Sequence, residues 1–495
     1  MSTANDSPPS SAAPATTEAA TTPASHDSGT PPALLDFMLQ GWGPRKEDGW
    51  EPVKHAAAHK ARRDALAYRF PGELLVIPTG HEQVRSNDTH FRFRPGSDFF
   101  WLTGCHEADN VLVVEPLPEH GHRTVLFCEP NNRDSAAFFT DRKKGELWVG
   151  ARLGLAGSQA RFGVDECRPL SELAAFLQAA KAPRRLLRGF APSIDAAIGT
   201  EATSKDDAEL TTWLSEARLI KDPTEVEELR VSIDATKRGF EDVIRALRTA
   251  PTERWVEGVF GLRARVEGND VGYGTIAACG AHACVLHWTR NDGALPPGEL
   301  LLLDAGVEGH SLYTADITRT LPVSGTFTPP QRRIYELVWR AQRAALAAVR
   351  PGADFLEPNR AAMKVLAEGL FNLGIMKVSP EEALREDRQL YKRWTLHNVS
   401  HMLGIDVHDC AKARQESYKF GKLEAGMVLT IEPGLYFQPD DETVAEEYRG
   451  IGIRIEDDVV VTADGCENLS AHIPTGMSDV EAWIAGLWAE ATPRD

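Results

Sequence analysis

The sequence contains few cysteines for its length, and their arrangement excludes a disulfide framework or a zinc ribbon. Its 495 residues include seven cysteines, and none of them belongs to a C-x-x-C pair. Disulfide-rich domains need an even, closely spaced set of cysteines, and structural zinc sites are commonly built on C-x-x-C pairs. We therefore expect reduced thiols, most of them buried.

Long apolar runs and an excess of basic charge are also missing. No apolar run approaches the roughly 20 residues that span a bilayer, and residues 1–32 lack the basic and apolar segments of a secretion signal. The chain carries 54 basic and 72 acidic residues, which gives a net charge of −18. The missing span and secretion signal predict a cytoplasmic protein. Because the negative charge repels phosphate backbones and anionic membranes, we expect this protein to bind neither nucleic acid nor membranes.

Composition and pattern divide the chain into two domains and two tails. Residues 1–32 are rich in Ser, Thr, Ala and Pro and bury too little to offset their ordering entropy, which predicts a disordered tail. Residues 33–210 mix apolar runs ("ELLVIP", "DFFWLTG", "NVLVVEP", "TVLFCEP") with helical stretches such as "LSELAAFLQAAKA", which is typical of an α/β domain. Residues 211–480 form the predicted second domain, and residues 481–495 are assigned to a C-terminal tail.

The second domain repeats one pattern, in which two helices are followed by strands. Asp222 as N-cap, Pro223 in the first turn and Glu225 as the capping-box partner predict the start of its first helix. The helices are predicted at 223–249 and 253–267 in the first half, and near 329–349 and 357–373 in the second half.

Each half of this domain ends its strands with two carboxylates that are out of place among apolar residues. They are Asp304 and Asp316 in the first half, and Glu432 and Glu456 in the second. A carboxylate in an apolar strand is costly unless it is paired, hydrogen-bonded or bound to a metal. Any one of them alone is more typical of a turn or a salt bridge, so the prediction of a site depends on their occurring together.

Strand periodicity directs these carboxylates to one side. Side chains alternate along a strand, so Ile453 and Ile455 share one face while Arg454 and Glu456 share the other. The apolar faces can pack under helices, which leaves the acidic faces to line a common cavity. Four carboxylates and one imidazole form a hard ligand set that suits two divalent ions such as Mn²⁺, Mg²⁺, Fe²⁺ or Co²⁺ better than a structural zinc.

The imidazole would come from "HNVSHMLGIDVH", which contains His397, His401 and His408. The i, i+4 spacing of the first two matches the zinc-protease signature H-E-x-x-H, but Asn398 occupies the position of the catalytic Glu. Alternating apolar residues predict an extended segment from about Leu403. The residues alone leave open which histidine binds metal.

Four stretches carry a resemblance to a known family. "LLLLDAGVEGHSLYTADITRTLPVSG", "HNVSHMLGIDVHD", "LTIEPGLYF" and "GIGIRIEDDVVV" together resemble the pita-bread dinuclear metallopeptidases, specifically the aminopeptidase P family. "RSNDTHFRFRPGSDFFWLTGCHEADNVLVV" is similar to the non-catalytic domain of that family, and the resemblance covers about residues 60–470. It implies an N-terminal α/β domain followed by an α+β pita-bread catalytic domain with pseudo-twofold symmetry.

The chain departs from the family pattern at two places. Asp304 and Asp316 are one residue further apart than is usual in the family, which predicts a bulge or longer turn at about Gly309 to Leu312. Asn398 stands where the family commonly has Gly. Neither departure removes a ligand.

The resemblance also assigns roles to site residues. It implies Glu432 as a general base that later acts as an acid, with His287, His397 and His408 on the substrate side of the cavity. Tyr436 and Arg454 are expected to orient the ligands. The implied metal ligands are Asp304, Asp316, His401, Glu432 and Glu456.

The implied activity is release of the first residue from peptides with proline in the second position. The expected nucleophile is a hydroxide bridging two divalent ions, with Mn²⁺ as the expected metal, and the expected assembly is a homodimer or homotetramer. A prolidase, which splits Xaa-Pro dipeptides with the same metal set, is the alternative within the enzyme class. A non-catalytic pita-bread binding module is a further alternative, which the presence of all five ligands opposes.

Overall fold

The computed structural model describes residues 30–43, 49–118, 121–131, 135–190, 192–198 and 204–490. The tail expected over residues 1–32 therefore lies outside the described residues, except at its end, where a helix begins at Pro32. Among the described residues, no helix has both the length and the apolar content that crossing a bilayer requires.

Helices occur along the whole described chain, and the longest lie after residue 220. They are α1 (Pro32–Met38), α2 (Ala56–Arg69), α3 (Ser97–Thr103), α4 (Ala137–Thr140), α5 (Glu146–Val149), α6 (Gly154–Phe162), α7 (Leu173–Ala179), α8 (Pro192–Ile198), α9 (Lys205–Ala217), α10 (Pro223–Leu247), α11 (Glu253–Glu267), α12 (Pro329–Ala348), α13 (Glu357–Asn372), α14 (Pro380–Leu384) and α15 (Met477–Glu490).

The strands are short and gather into several small sheets. They are β1 (Leu74–Pro78), β2 (Val84–Ser86), β3 (Thr89–His90), β4 (Val111–Pro116), β5 (His122–Cys128), β6 (Glu166–Pro169), β7 (Arg184–Leu186), β8 (Asp270–Val271), β9 (Ile276–Cys279), β10 (Leu300–Ala305), β11 (Val307–Glu308), β12 (Ile317–Pro322), β13 (Val428–Ile431), β14 (Gly434–Tyr436), β15 (Gly452–Arg454), β16 (Asp457–Val461) and β17 (Cys466–Asn468).

The chain forms two compact units, of which the smaller comprises residues 1–48 and 130–154. Its described part contains α1, α4 and α5. The Trp42 ring lies 5.8 Å from Phe138 and 6.4 Å from Phe139 between centroids, and Trp148 Nε1 donates to the Phe139 carbonyl at 2.6 Å. Phe138 and Phe139 are buried by these contacts, whereas Trp42 and Trp148 stay about half exposed.

The larger unit begins with a five-stranded mixed sheet in the order β6-β5-β4-β1-β7. Strand β1 pairs antiparallel with β4 and parallel with β7, and α7 packs its buried leucines against one face of the sheet. The α/β prediction for this region is confirmed. "DFFWLTG", however, forms the helix α3 rather than a strand, because a short, fully buried apolar run has no periodicity that separates the two structures.

The two-helix pattern of the second domain is confirmed, with α10 and α11 in one half and α12 and α13 in the other. Asp222 accepts from the backbone N–H groups of Thr224 and Glu225, and Glu225 bonds back to the Asp222 N–H, as a capping box requires. Each half then forms a three-stranded antiparallel sheet, in the orders β12-β10-β9 and β13-β16-β17. This is the α+β pseudo-twofold architecture that the resemblance implied.

Two predicted boundaries do not agree with the helices. Residues 481–490 are not part of a tail but of α15, whose Val480, Ile484 and Leu487 are buried in the main core; residues 491–495 lie outside the described residues. The apolar residues of α15 recur at helical spacing, which explains why this segment packs on the core as a helix and does not form a tail. The bond between residues 210 and 211, chosen as the domain boundary, lies inside the continuous helix α9.

One hydrophobic core lies beneath the sheet of the second half. Leu429, Ile431, Ile453 and Ile455 are fully buried in it together with the apolar stripe of α12. The polar residues that alternate with them must therefore face the other way, and this is where the candidate site lies.

Candidate metal centre

The four predicted carboxylates come together at strand ends from both halves of the domain. Asp304 in β10 lies opposite Thr318 in β12, so Asp304, Asp316 and Thr318 share one face of the sheet. Glu432 follows β13 directly and Glu456 precedes β16. All four carboxylates line one cavity of about 440 Å³.

The predicted longer turn between the two aspartates is present. The Leu312 N–H donates to the Gly309 carbonyl at 2.9 Å, and the Gly309 N–H donates to the Tyr313 carbonyl at 3.0 Å. Leu312 has a φ of 63°, a left-handed conformation that is uncommon for a residue other than Gly, and its side chain is fully buried. The turn lies outside the paired residues of β10 and β12, and their pairing runs without a register shift from the pair of Leu300 with Pro322 to the pair of Ala305 with Ile317.

His401 is held at the edge of β13 with its ring directed at carboxylates. Its N–H donates to Thr430 Oγ1 at 3.1 Å, and the Thr430 N–H donates to the His401 carbonyl at 3.0 Å. Nδ1 lies 3.1 Å from the Met402 carbonyl, which can only accept, so Nδ1 carries the hydrogen. Nε2 then faces Asp316 Oδ2 at 3.3 Å and Glu432 Oε1 at 3.7 Å, and this arrangement requires a proton or a metal ion between them.

The segment after His401 is a bent loop, not the extended segment predicted from Leu403. The Asp409 N–H returns to the Met402 carbonyl at 3.0 Å and closes the loop on itself. Because this bond turns the chain back, the intervening residues form no strand.

The carboxylates repel one another in a buried space. Burial raises the pKa of Glu456 well above its ordinary value, and the charges of Asp316 and Glu432 raise it further. Burial also raises the pKa of Glu432 to about 7 and raises the pKa of Asp304, in spite of the opposing charge of Arg454. Such a cluster is costly without additional positive charge.

A divalent metal would supply that charge, and the donor set fits one. Ligand atoms of Asp316, His401 and Glu456 all lie within 4.8 Å of one another. Burial lowers the pKa of His401, but its contact with Asp316 and the charge of Glu432 outweigh this and raise the pKa to about 9. The same lone pair that attracts a proton here can bind a metal ion instead.

Tyr273 and Thr318 belong to the site but were missed in the sequence. The Tyr273 hydroxyl lies 2.7 Å from Asp304 Oδ1 and 2.5 Å from Asp316 Oδ1, and Thr318 Oγ1 donates to Glu456 Oε2 at 2.6 Å. Such hydrogen bonds fix the orientation of ligand oxygens. The one signal was the position of Tyr273 between two glycines just before β9, which is adjacent to the strand of Asp304.

A chain of hydrogen bonds links Arg454 to His397. Arg454 donates from Nη2 to Asp304 Oδ2 at 2.5 Å and from Nη1 to the Tyr436 hydroxyl at 2.9 Å. That hydroxyl lies 2.8 Å from His397 Nε2, and His397 Nδ1 lies 2.8 Å from the Asn398 carbonyl. Nδ1 must donate to the carbonyl, so Nε2 accepts from Tyr436. Burial, with the charge of Arg454, lowers the pKa of His397 to about 4, which is consistent with a neutral ring whose two nitrogens are both occupied.

His287 and His408 have free ring nitrogens. Both rings line the cavity, and within the described residues neither ring makes a hydrogen bond. The His408 ring packs edge-on against His401, with 4.4 Å between centroids and an 82° interplanar angle. Burial and the nearby His401 lower the pKa of His408, so its imidazole is neutral near pH 7 and can contact a ligand.

The structure therefore brings together the residues that the sequence singled out. Tyr436 reaches the site through its bonds to Arg454 and His397, and the roles of all these residues remain predictions. The others line the cavity directly: His287, Asp304, Asp316, His397, His401, His408, Glu432, Arg454 and Glu456.

Sequence comparisons cover both domains. Residues 227–463 match metallopeptidase family M24, and residues 59–187 match the aminopeptidase P N-terminal domain. Xaa-Pro aminopeptidase 1 of Streptomyces coelicolor is 52% identical over 457 residues, which are 92% of each chain. The Xaa-Pro aminopeptidase of Escherichia coli is 35% identical and covers 85% of this chain and 96% of its own.

Solved structures agree with the sequence comparisons. A variant of Escherichia coli aminopeptidase P in complex with substrate has a TM-score of 0.80 at 32% identity, and covers 88% of this chain and 99% of its own. Proline aminopeptidase P II from Yersinia pestis has a TM-score of 0.79 at 33% identity, and covers 87% and 100%. The chain therefore belongs to metallopeptidase family M24 and, within it, to the aminopeptidase P family.

Proposed function

We propose that the protein is an Xaa-Pro aminopeptidase, which hydrolyses the bond between the first residue and a proline in the second position. The observation that carries the proposal is the cavity itself, where three buried carboxylates, the partly buried Glu432 and His401 surround a space that His287 and His408 also line. Relatives at 52% and 50% identity carry this name.

The metal ligands in this proposal are Asp304, Asp316, His401, Glu432 and Glu456. When bound, two divalent cations supply a hydroxide nucleophile near neutral pH and a Lewis acid for the scissile carbonyl. Carboxylate and imidazole donors without a thiolate suit Mn²⁺, which we propose as the native metal.

Glu432 is the proposed proton carrier. Its carboxylate lies 3.5 Å from His397 and 3.7 Å from His401 at the nearest atoms, and no hydrogen bond from the described residues occupies it. In the metal-free site burial raises the pKa of this carboxyl group, and a carboxylate beside the attacking water can take a proton and return it. It would pass that proton to the proline nitrogen, which leaves as an amine.

His287 and His408 are the proposed contacts to the substrate. Their ring nitrogens, which have no hydrogen-bond partner among the described residues, can donate to the scissile carbonyl oxygen or the adjacent backbone, where negative charge grows during attack. The cavity wall also contains Ile276, Leu286 and Val407, which can contact the pyrrolidine ring. These contacts replace the hydrogen bond that a proline nitrogen, which has no N–H, cannot donate.

A prolidase is the rival within the enzyme class. The match of residues 59–187 to the aminopeptidase P N-terminal domain supports the aminopeptidase. A non-catalytic binding module is opposed by the intact set of ligands and by Glu432. Seven unpaired cysteines, five of them buried, support a reducing compartment such as the cytoplasm, and a homodimer or homotetramer stays a prediction.

Product analysis of four peptides tests the proposal: Xaa-Pro-Yaa, Xaa-Ala-Yaa, an acetylated Xaa-Pro-Yaa and the Xaa-Pro dipeptide. With Mn²⁺ present, we expect release of the first residue from Xaa-Pro-Yaa, little action on Xaa-Ala-Yaa, and none on a peptide whose amine is acetylated. Cleavage confined to the Xaa-Pro dipeptide would instead identify a prolidase. Equal cleavage of the alanine peptide would refute proline specificity.

A further inference from the structure

The loop of residues 403–410, here called the His408 loop, connects His401 to the helical turns that follow. The His408 ring has no hydrogen-bond partner in the part of the chain that the structure describes. Its packing against His401 and the course of its own backbone therefore decide where its nitrogens point. The backbone of the loop is thus decisive for the contact that the proposed function assigns to His408.

Asp409, the next residue, fixes the end of this loop. Its N–H donates to the Met402 carbonyl at 3.0 Å, while its carboxylate points into the protein interior. There Lys221 Nζ lies 2.9 Å from Oδ2 and Arg218 Nη2 lies 3.4 Å from Oδ1. The side chains of Asp409 and Lys221 are each only 1% exposed, so this ion pair is shielded from water.

An ion pair so deeply buried is a poor means of stabilising a fold. Removing two charges from water costs about as much as their attraction returns, and apolar residues of similar size serve at least as well. Both groups nevertheless stay charged. Burial raises the pKa of Asp409, but Arg218 and Lys221 reverse this and lower it to about 2. The pair is therefore better explained by the orientation it imposes than by stability.

The backbone on both sides of His408 is shaped around this pair. A Cβ at Gly404 would overlap Asp409 Oδ2 and lie 2.9 Å from Lys221 Cε, so a side chain at this position would displace the pair. Cys410, directly after Asp409, has a φ of 60°, which turns the chain away sharply. Neither feature is needed by a loop that merely connects two elements.

Arg218 also reaches the middle of the loop, where the N-terminal domain contributes further bonds. Arg218 Nη2 lies 3.5 Å from Asp406 Oδ2, and Ser97 Oγ donates to Asp406 Oδ1 at 2.6 Å. Arg94 Nη2 donates to the Ile405 carbonyl at 2.9 Å. The loop is thus held on both sides of His408, at Asp406 and at Asp409.

We propose that Lys221 and Arg218 are positioning residues that act through Asp409 to hold His408 in the orientation that contacts substrate. Neither cation lines the catalytic cavity. This inference rests on the proposed function, because it assumes that His408 touches the peptide.

The test compares single and double variants of the full-length, Mn²⁺-loaded protein on Xaa-Pro-Yaa. Lys221→Met keeps the side-chain length and leaves Asp409 paired with Arg218. We expect it to lower kcat/KM roughly 10²-fold, the order of effect of a small misplacement of a catalytic group, with metal content unchanged. Lys422→Met, at an exposed pair with Asp354, is the matched control and should keep the wild-type rate.

The double variant separates positioning from general damage. If Lys221 acts through His408, the variant Lys221→Met/His408→Ala should be no slower than His408→Ala alone, and the two single variants should divide their losses between kcat and KM in the same way. Losses that multiply in the double variant, or loss of metal from Lys221→Met, would overturn the inference.

The remaining outcomes also have defined meanings. Should Lys221→Met fail to fold, Gly404→Ala provides the same comparison, since it displaces Asp409 with every charge retained. If the wild type does not cleave the peptide, the proposed function fails and the inference fails with it. If the wild type cleaves the peptide and His408→Ala keeps the same rate, the proposed activity stands, but the contact of His408 with substrate and the inference that depends on it are refuted. If His408→Ala is slow while Lys221→Met and Gly404→Ala are both fast, the positioning inference alone is refuted.

Discussion

Replacing His401 by Ala should remove metal and nearly all activity, whereas replacing His397 by Ala should lower activity less and leave the metal in place. The two rings are four residues apart and both line the cavity, so sequence spacing does not distinguish them. Their nitrogens do. His401 Nε2 presents a lone pair to Asp316 and Glu432, whereas both nitrogens of His397 already have partners.

The magnitudes follow from these contacts. His401→Ala removes a ligand of one of the two proposed ions, so the protein should lose about half of its metal, together with nearly all activity. His397→Ala leaves the buried Tyr436 hydroxyl without an acceptor, which costs about 1–3 kcal/mol. If the whole cost appears in the transition state, kcat/KM falls about 5- to 150-fold, with the metal retained.

Elemental analysis after exhaustive dialysis, combined with kinetics on Xaa-Pro-Yaa, measures both effects in the same samples. Tyr436→Phe is the control for the hydrogen-bond chain, because it removes the hydroxyl group that bonds to His397 and leaves the histidine in place. The reasoning is refuted if His397→Ala loses metal while His401→Ala retains it, since the assignment within "HNVSH" would then be reversed.

Three further predictions concern the surroundings of the site. Tyr273→Phe removes the hydroxyl that orients two carboxylates and should weaken metal binding about 10- to 100-fold, as a Mn²⁺ titration can measure. Metal-free protein should lose stability as pH rises from about 4.5 to about 9. Between 4.5 and about 7 the raised pKa of Glu432 makes its ionised form unfavourable in the folded state, and between 6.5 and about 9 the favourable protonation of His401 is lost. The gain in Tm on adding Mn²⁺ should therefore be larger at the alkaline end, and an equal gain at both ends would contradict this. Arg319→Met leaves the buried Asp457 carboxylate without its guanidinium partner and should lower the free energy of unfolding by about 3–5 kcal/mol, as urea denaturation would show.

The parts of the fold that the sequence predicted are those set by local rules. The start of α10 depends on a cap formed by three nearby residues. The alternation of residues 453–456 correctly predicted that Ile453 and Ile455 enter the core while Arg454 and Glu456 face the cavity. Predictions were wrong where tertiary burial overrides local pattern, as in "DFFWLTG", which is buried on all sides as the helix α3. The same is true of α15, whose apolar stripe was taken for part of a tail.

Site residues with a chemical signature could be found, and their supporting residues could not. A carboxylate inside an apolar strand is conspicuous in a sequence, because its burial needs an explanation. Tyr273 and Lys221 are ordinary residues in the sequence, and each gains its meaning from a partner far along the chain. Tyr273 bonds Asp304 across 31 positions, and Lys221 pairs with Asp409 across 188. Such pairs become visible only when the fold brings them together.

The structure separates two kinds of buried carboxylate by what neutralises them. Asp409 and Asp457 each have a fully buried cation of the protein within 3 Å, Lys221 and Arg319 respectively, and their charges are balanced where they lie. The four carboxylates of the cavity share Arg454 and His401, which are too few for their charge, so burial and mutual repulsion raise the pKa of three of them. The protein thus supplies a cation to Asp409 and to Asp457 but too little positive charge to the carboxylates of the cavity. We therefore expect a divalent metal bound in the cavity to lower the free energy of the folded state.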